Sequence, residues 1–296
     1  MTDASSGFAP INGARIYFET AGAGPPFVMI HAGVADNRQW NNEFAHYAAR
    51  HRVVRFDLRG FGRSEPVAGD FAHLADLEAL LAHLAVDRPM ILMGCSMGGG
   101  LAMDFAFAHP SDVAALIMVG SGPAGLVLPF RELVRGLPWW PFRGLRWLVE
   151  RRKHERTRRA IAAGDIDRVT ELETQTWFDG VGRGPDQVDP AMRRLAYEMN
   201  RTALSHQAKE LGARNRDSDV PAADHLRELD VPVLVIVGEH DIGYLHAAAK
   251  YMVERLPTVE KALMKDAAHL PNMDHPHEFA GIVDAFLARH VERAKR

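Results

Sequence analysis

Short apolar runs alternate along this chain with longer stretches in which apolar residues recur at helical spacing. The first predicted strand, Gly13 to Thr20, alternates apolar and polar residues, as expected of a strand that is buried on one face. The later predicted strands lie at the start of the segments PFVMIHAG, RVVRFDLRGFGRSE, PMILMG, VAALIMVG, VPVLVIVG and VEKALM. Most of them are continuous runs of apolar residues, a pattern typical of strands buried on both faces of a parallel sheet.

Helices are predicted in the stretches between the strands, at Asp36 to Arg50, Phe71 to Leu84, Gly99 to His109, Tyr244 to Leu256 and Phe279 to His290. This alternation predicts the α/β fold class, with a mostly parallel central sheet flanked by helices. The alternation stops between Gly120 and about Ala223, where the chain is rich in Arg and Trp and indicates several helices with loops. We therefore predict a core formed by residues 1–122 and 224–296, with residues 123–223 inserted as a helical lid.

Composition and charge narrow the classes of function. Of the 296 residues, 47% are hydrophobic and 25% are charged, which is ordinary for a globular protein. The formal net charge of −3 favours neither a nucleic acid nor a membrane as partner. There is one cysteine, and no apolar run approaches the roughly 18 residues of a membrane span. No secretory signal is expected, because the segment MTDASSGFAP lacks the basic and apolar regions of such a signal. We expect a soluble cytoplasmic protein, either a monomer or a homodimer.

A serine framed by glycines lies between a predicted buried strand and a predicted helix. The segment is Gly94-Cys95-Ser96-Met97-Gly98, and a strand, a sharp turn and a helix in this order are typical of a nucleophile elbow. Such a turn exposes the Ser96 hydroxyl beside the free N–H groups of a helix N-terminus. The alternative is that the glycines only allow close packing of strand and helix. The neighbouring thiol of Cys95 is interpreted as a small packed residue, because the turn projects one side chain outward.

A serine nucleophile requires a base, and the base requires an acid that orients it. At a nucleophile elbow the acid and then the histidine are expected later in the chain. Glu239 and Asp241 follow the strand VPVLVIVG, and His269 follows the strand VEKALM. Asp241 is favoured over Glu239 because it lies further into the loop, although either carboxylate is also compatible with a helix N-cap. We predict Ser96, Asp241 and His269 as the catalytic residues.

The oxyanion of an acyl-transfer intermediate requires two N–H donors. One is expected from Met97, the residue after the nucleophile, and the other from the loop that follows PFVMIHAG. Gly33 in that loop presents its N–H without hindrance from a side chain. The alternative is that the loop is a plain connection between a strand and a helix.

The segments HAGVADNRQW, FDLRGFGRSE, GCSMGG, GEHD and AAHLPNMDHP together resemble the α/β-hydrolase fold superfamily, over nearly the whole chain. Relatives usually have His-Gly where this chain has His31 and Ala32, which is a departure from the pattern. Within the superfamily, the segments GCSMGG and AHLPNMDHP most resemble the lactonases and small esterases, such as 3-oxoadipate enol-lactonases. The resemblance implies a small-molecule ester or lactone as substrate, hydrolysed through an acyl-enzyme.

Two other functions are compatible with the same residues. One is hydrolysis of a C–C bond in an aromatic ring-cleavage product, and the other is a ligand receptor that binds without turnover.

No cofactor is expected, because no Gly-Xaa-Gly-Xaa-Xaa-Gly fingerprint opens a helix, and no Cys/His cluster indicates a metal. In the predicted lid, Trp177 and Arg183 are candidates for substrate contact. A group of lid aromatics either lines an acyl pocket or packs the lid onto the core, namely Trp139, Trp140, Phe142 and Trp147.

Overall fold

The central sheet has eight strands in the order β1-β2-β4-β3-β5-β6-β7-β8, as seen in a computed structural model of the protein. The structure describes residues 4–66, 69–128, 155–208, 215–216 and 222–291. Strand β2 pairs antiparallel with β1 and with β4, and every other neighbouring pair is parallel. The predicted mostly parallel sheet is therefore confirmed. The strands are β1 (Ser5–Ile11), β2 (Ala14–Ala21), β3 (Pro26–Ile30), β4 (Arg52–Phe56), β5 (Met90–Cys95), β6 (Val113–Val119), β7 (Val233–Gly238) and β8 (Val259–Met264).

Helices lie between these strands, as the alternating pattern predicted. Residues 155–162 are also helical. The labelled helices are α1 (Asn41–Tyr47), α2 (His73–His83), α3 (Met97–Ala108), α4 (Ile166–Thr174), α5 (Pro190–Gln207), α6 (Ala222–His225), α7 (Gly243–Val253), α8 (Pro271–Asp274) and α9 (Pro276–His290).

Two elements differ from the sequence-based expectation. Strand β1 was not predicted, because its sequence SSGFAPI is rich in residues that disfavour strands. It forms by pairing along its whole length with β2, and Pro10 is tolerated because β1 lies at the edge of the sheet. The single helix expected from Asp36 to Arg50 begins instead as a 3₁₀ turn, in which the Arg38 N–H is capped by the Asp36 carboxylate.

The hydrophobic core has two halves, one on each face of the sheet. Because side chains alternate along a strand, Val28 and Ile30 of β3 enter one half while Phe27 and Met29 enter the other. Helices α2, α3 and α7 cover the first face, and α1 and α9 cover the second. This packing holds the carboxyl ends of β3, β5, β7 and β8 at one edge, where ligands of open α/β sheets bind.

The described residues between 123 and 223 contain helices and a π-helical turn, Gln175–Asp179, but no named strand. They therefore agree with the predicted helical character of this insertion. The aromatic residues singled out in the sequence, Trp139, Trp140, Phe142 and Trp147, lie outside the described residues. We call the described part, residues 155–208, the cap segment.

Candidate active site

Ser96 occupies a strained turn between β5 and α3. Its backbone has φ +52° and ψ −116°, a conformation that non-glycine residues rarely adopt. A Cβ atom on Gly94 would lie 2.2 Å from the Gly98 carbonyl oxygen, and one on Gly98 would lie 2.4 Å from the Ile30 oxygen. The turn therefore requires both glycines, and the close approach of β5, α3 and β3 leaves Ser96 at the start of the helix.

Asp241 and His269 form a buried pair at the same edge of the sheet. The Nδ1 atom of His269 lies 2.9 Å from Oδ2 of Asp241 and 3.2 Å from Oδ1, and both residues are less than 5% exposed. Glu239 does not share this role, because its Oε2 accepts from the backbone N–H of Asp266 at 3.2 Å. The structure therefore pairs the histidine with the carboxylate that the sequence favoured.

The loop that carries His269 adjoins the serine turn. The Cys95 thiol donates to the His269 carbonyl oxygen at 3.6 Å, and a Cβ atom on Gly120 would lie 3.0 Å from His269 Nδ1. Within the described residues, the Ser96 hydroxyl makes no hydrogen bond to His269. Catalytic hydrogen bonds are often long in a ligand-free site and tighten when substrate binds, so the arrangement is compatible with proton transfer.

Two backbone N–H groups are available near Ser96. Gly33 and Met97 donate to no acceptor among the described residues, whereas the N–H of Ala32 is used by the Gln39 side chain at 2.9 Å. The two positions are neighbours, since a Cβ atom on Gly33 would lie 3.6 Å from the Met97 sulfur. The loop is held from beneath by His31, whose Nε2 accepts from the Leu58 N–H at 2.9 Å. The Gly33 N–H is therefore unused among the described residues, although Ala32 departs from the His-Gly pattern.

Trp177 of the cap segment lies directly against His269. Their ring centroids are 4.7 Å apart, and the Trp177 carbonyl accepts from the His269 N–H at 3.2 Å. The indole is only partly buried. The structure thus brings one of the two cap residues predicted from the sequence into contact with the candidate catalytic histidine.

The side chain of Arg183, the other predicted cap residue, is 6% exposed and is hydrogen-bonded within the protein. Its guanidinium donates to the carbonyl oxygens of Phe178, Asp179 and Asp266 and, at 3.0 Å, to the Asp274 carboxylate. Asp274 in turn accepts from the Ala268 N–H at 2.8 Å, one residue before His269. Arg183 therefore fastens the cap segment to the loop that carries the histidine.

Asp274 and His240 were not singled out by sequence reasoning, although each touches this junction. His240 exchanges two hydrogen bonds with Val181 of the cap, at 2.7 and 2.8 Å. Their signal in the sequence was proximity to Asp241 and His269. Nothing in the sequence indicated that the partners would be 59 and 91 residues away.

Two further observations limit the chemistry of the site. Burial raises the pKa of the Cys95 thiol to about 12, so this residue is not a thiolate at neutral pH. Potential metal ligands occur once among the described residues, where donor atoms of Glu239, His240 and Asp266 lie within 4.8 Å of one another. The two carboxylates are exposed to solvent, where acidic groups commonly lie together without binding an ion.

The chain belongs to the α/β-hydrolase fold family, whose model matches residues 25–276. It is 26% identical to a pimeloyl-[acyl-carrier protein] methyl ester esterase of Aeromonas hydrophila, over 91% of this chain and 98% of that protein. It is 24% identical to a 2-hydroxy-6-oxo-6-(2'-aminophenyl)hexa-2,4-dienoic acid hydrolase of Metapseudomonas resinovorans, over 96% of this chain and 91% of that protein.

Among solved structures, Est816, described as an N-acyl homoserine lactone degrading enzyme, superposes with a TM-score of 0.69 at 22% identity. The superposition covers 95% of this chain and all of that one. These findings confirm the predicted superfamily and the predicted enzyme class, since the similar proteins include a methyl ester esterase and a lactone degrading enzyme, which are hydrolases of ester bonds. The structure also contains no helix, within the described residues, with the length and apolar character needed to cross a bilayer.

Proposed function

We propose that this protein is a serine hydrolase that cleaves a carboxylic ester or a lactone through an acyl-enzyme. The observation that carries the proposal is the buried pair of Asp241 and His269 at the sheet edge where Ser96 occupies a strained turn. Esterases and a lactone-degrading enzyme among the similar proteins support the bond type.

In the proposed cycle, Asp241 accepts from Nδ1–H of His269, which leaves Nε2 as the ring nitrogen that takes a proton. His269 removes the proton of the Ser96 hydroxyl as its oxygen attacks the substrate carbonyl. The negative charge on the carbonyl oxygen is stabilised by the N–H groups of Gly33 and Met97. His269 then gives the proton to the leaving alkoxide, and the C–O bond breaks.

Deacylation repeats these steps with water as the nucleophile. His269 accepts a proton from water, hydroxide adds to the acyl carbon, and the Ser96 oxygen leaves with that proton. Throughout the cycle, Asp241 stabilises the charged imidazole and keeps its orientation.

The core is assigned to residues 1–122 and 224–296. The inserted residues 123–223 supply Trp177 next to His269, and Arg183 as an anchor of the loop that carries His269.

A C–C bond hydrolase is the second candidate, because the relative from Metapseudomonas resinovorans acts, by its name, on a dienoic acid and matches over most of both chains. The same three side chains would serve that reaction. A receptor that binds without turnover is the outcome expected if the site captures ligands but does not release products.

The test compares the wild type with Ser96→Ala on p-nitrophenyl esters, lactones and a ring-cleavage diketone. We expect ester or lactone turnover in the wild type and a loss of at least about 10³-fold in kcat for Ser96→Ala. Ser111→Ala, an exposed serine, is the matched control and retains activity. Full activity in Ser96→Ala would refute the mechanism. Stoichiometric capture without turnover would support the receptor, and preferred cleavage of the diketone would support the C–C hydrolase.

A further inference from the structure

The indole of Trp177 lies against the imidazole of His269 at the junction of the cap segment and the core. The ring centroids are 4.7 Å apart, and the ring planes make an angle of 46°. Trp177 is partly buried and packs against the half of the core that α2, α3 and α7 cover, whereas His269 is 2% exposed. An aromatic ring of the cap segment therefore forms part of the enclosure of the candidate catalytic base.

The main chain at Trp177 fixes this contact. Trp177 belongs to the π-helical turn Gln175–Asp179, which ends at Gly180, where φ is +84°. The N–H of the next residue, Val181, donates to a carbonyl oxygen of the core at 2.7 Å and not back into the turn. The Trp177 carbonyl oxygen accepts instead from the His269 N–H at 3.2 Å. A main-chain hydrogen bond, which no side-chain substitution removes, thus sets the indole beside the imidazole.

The proposed cycle places a positive charge on His269 each time the imidazole takes up a proton. The face of an indole carries partial negative charge and attracts a cation whose centre lies within about 6 Å of the ring centroid, more strongly where water is excluded. The charge of an imidazolium is spread over its ring, so the distance of 4.7 Å between the centroids falls within this range. A neutral imidazole gains much less from the same contact. The indole therefore favours the charged form of the histidine.

Ionisable groups on several elements surround the imidazole. Asp241 is bonded to it, with 2.9 Å between Oδ2 and Nδ1. The adjacent Cys95 thiol stays neutral, because burial raises its pKa to about 12. Asp274, next to the main chain before the histidine, is paired with the Arg183 guanidinium at 3.0 Å. Glu173 lines a small cavity together with the indole, and burial raises the pKa of its carboxyl. A substitution of the indole leaves all of these groups in place, so its effect reports the indole.

We propose that Trp177 is a positioning residue for His269, whose indole keeps the imidazole in line with Asp241 and stabilises the positive charge that the imidazole acquires during the cycle. The inference rests on the proposed ester or lactone hydrolysis, and it makes the cap segment a part of the proton relay. The indole then accelerates the step in which Ser96 gives up its proton. It accelerates nothing when the imidazole is already charged in the free enzyme, because the contact then stabilises the starting state equally.

The test compares the wild type, Trp177→Leu and Trp177→Phe on p-nitrophenyl acetate, with kcat/KM measured across the acid limb of the pH profile. On the plateau above this limb, we expect kcat/KM of Trp177→Leu to be about tenfold lower, because the aromatic face is lost. The acid limb of this variant moves about one pH unit toward lower pH, so that its profile meets that of the wild type at the acid end. Trp177→Phe keeps a weaker face, so we expect a loss of about threefold and a shift of about half a unit.

Phe107→Leu is the matched control. Phe107 is also a partly buried aromatic residue that packs against the same half of the core, but it lies at the end of α3 remote from Ser96. We expect its pH profile to keep the shape of the wild-type profile. A merely structural role of Trp177 predicts a loss of equal size at every pH. Water admitted by the smaller leucine would stabilise the charged imidazole and move the acid limb toward higher pH. Either result, or a wild-type profile in Trp177→Leu, would overturn the proposal.

A second measurement does not depend on turnover. The titration of His269 is followed by NMR on protein with ¹³C-labelled histidine, and its signal is identified by its absence in His269→Asn. We expect the midpoint in Trp177→Leu to lie about one pH unit below that of the wild type, whereas equal midpoints would overturn the proposal. If Trp177→Leu does not fold, the half-unit shift expected of Trp177→Phe decides the question. The proposed function fails separately, on ester turnover that is absent in the wild type or survives in Ser96→Ala.

Discussion

Glu43 on α1 is the basis for a prediction about stability and pH. Its side chain is buried beneath the loop that follows His269, with 1% of the residue exposed. Oε2 accepts from Asn272 Nδ2 at 3.0 Å, while Oε1 has no partner within the described residues. Burial raises the pKa of this carboxyl to about 8, because the ionised form is removed from water, and Asn272 offsets only part of that cost.

The sign follows from which state loses its proton first. As pH rises above the ordinary value of 4.5, the unfolded chain ionises at Glu43, whereas the folded protein keeps the proton until about pH 8. The unfolded state therefore binds fewer protons in this window, and the free energy of unfolding falls as pH rises. Between the two pKa values, each pH unit changes the folding equilibrium up to tenfold, which is worth about 1.4 kcal/mol. The free energy of unfolding therefore falls by roughly 5 kcal/mol over the whole interval, as an upper bound.

Glu43→Gln removes this titration and keeps the side-chain volume and an acceptor for Asn272. We expect the free energy of unfolding of the variant, minus that of the wild type, to rise by about 3–4 kcal/mol between pH 5 and pH 8. Urea titrations at several pH values measure it, and Glu198→Gln at an exposed position gives a difference that changes by less than about 0.5 kcal/mol. A difference for Glu43→Gln that does not change with pH would refute the assignment of a neutral buried carboxyl.

Three other predictions concern the surroundings of the site. Arg183→Met leaves the buried Asp274 carboxylate without its counter-charge, so we expect the free energy of unfolding in urea to fall by about 3–5 kcal/mol. Arg201→Met breaks an exposed pair with Asp167, and we expect a fall of less than about 1 kcal/mol. Equal losses in the two variants would contradict a buried ion pair at Arg183. Gly98→Ala forces a Cβ atom within 2.4 Å of a main-chain oxygen, so esterase activity falls sharply, whereas Gly281→Ala in open space on α9 leaves activity and stability intact. The Cys95 thiol, with a pKa of about 12, stays unlabelled by a disulfide reagent at pH 8 and reacts only after unfolding; rapid labelling of the native protein would show that it is accessible.

Much of the fold was predictable because burial on both faces leaves a local signature. The apolar runs of β3, β5, β6 and β7 coincide with strands that are buried at every or nearly every position. Strand β8 was also predicted, although its residues are more exposed. Strand β1 has no such signature, since Phe8 and Ile11 are its only large apolar residues and its conformation depends on hydrogen bonds to β2. A pattern within the segment cannot reveal a partner that supplies the pairing from outside it.

Part of the candidate active site was likewise predictable from the sequence, and part depended on contacts between distant segments. The glycines around Ser96 and the order of serine, acid and histidine can be read from the chain alone. They predict Asp241 as the partner of His269, and the structure shows these two side chains in contact. For Arg183, the sequence indicated a cationic cap residue near substrate, and the structure gives its guanidinium a buried carboxylate and three carbonyl oxygens instead.

The sequence by itself determined which segments become buried strands and which residues leave the carboxyl edge of the sheet, because hydrophobic periodicity and turn chemistry act over a few neighbouring residues. Only the tertiary structure decided which polar groups meet. Arg183 reaches Asp274 across 91 residues, and Asn200 reaches Glu173 across 27. The first pair depends on how the cap segment packs on the core, and the second on how α4 packs against α5. The cost of desolvating each polar group selects its partner only once that packing exists.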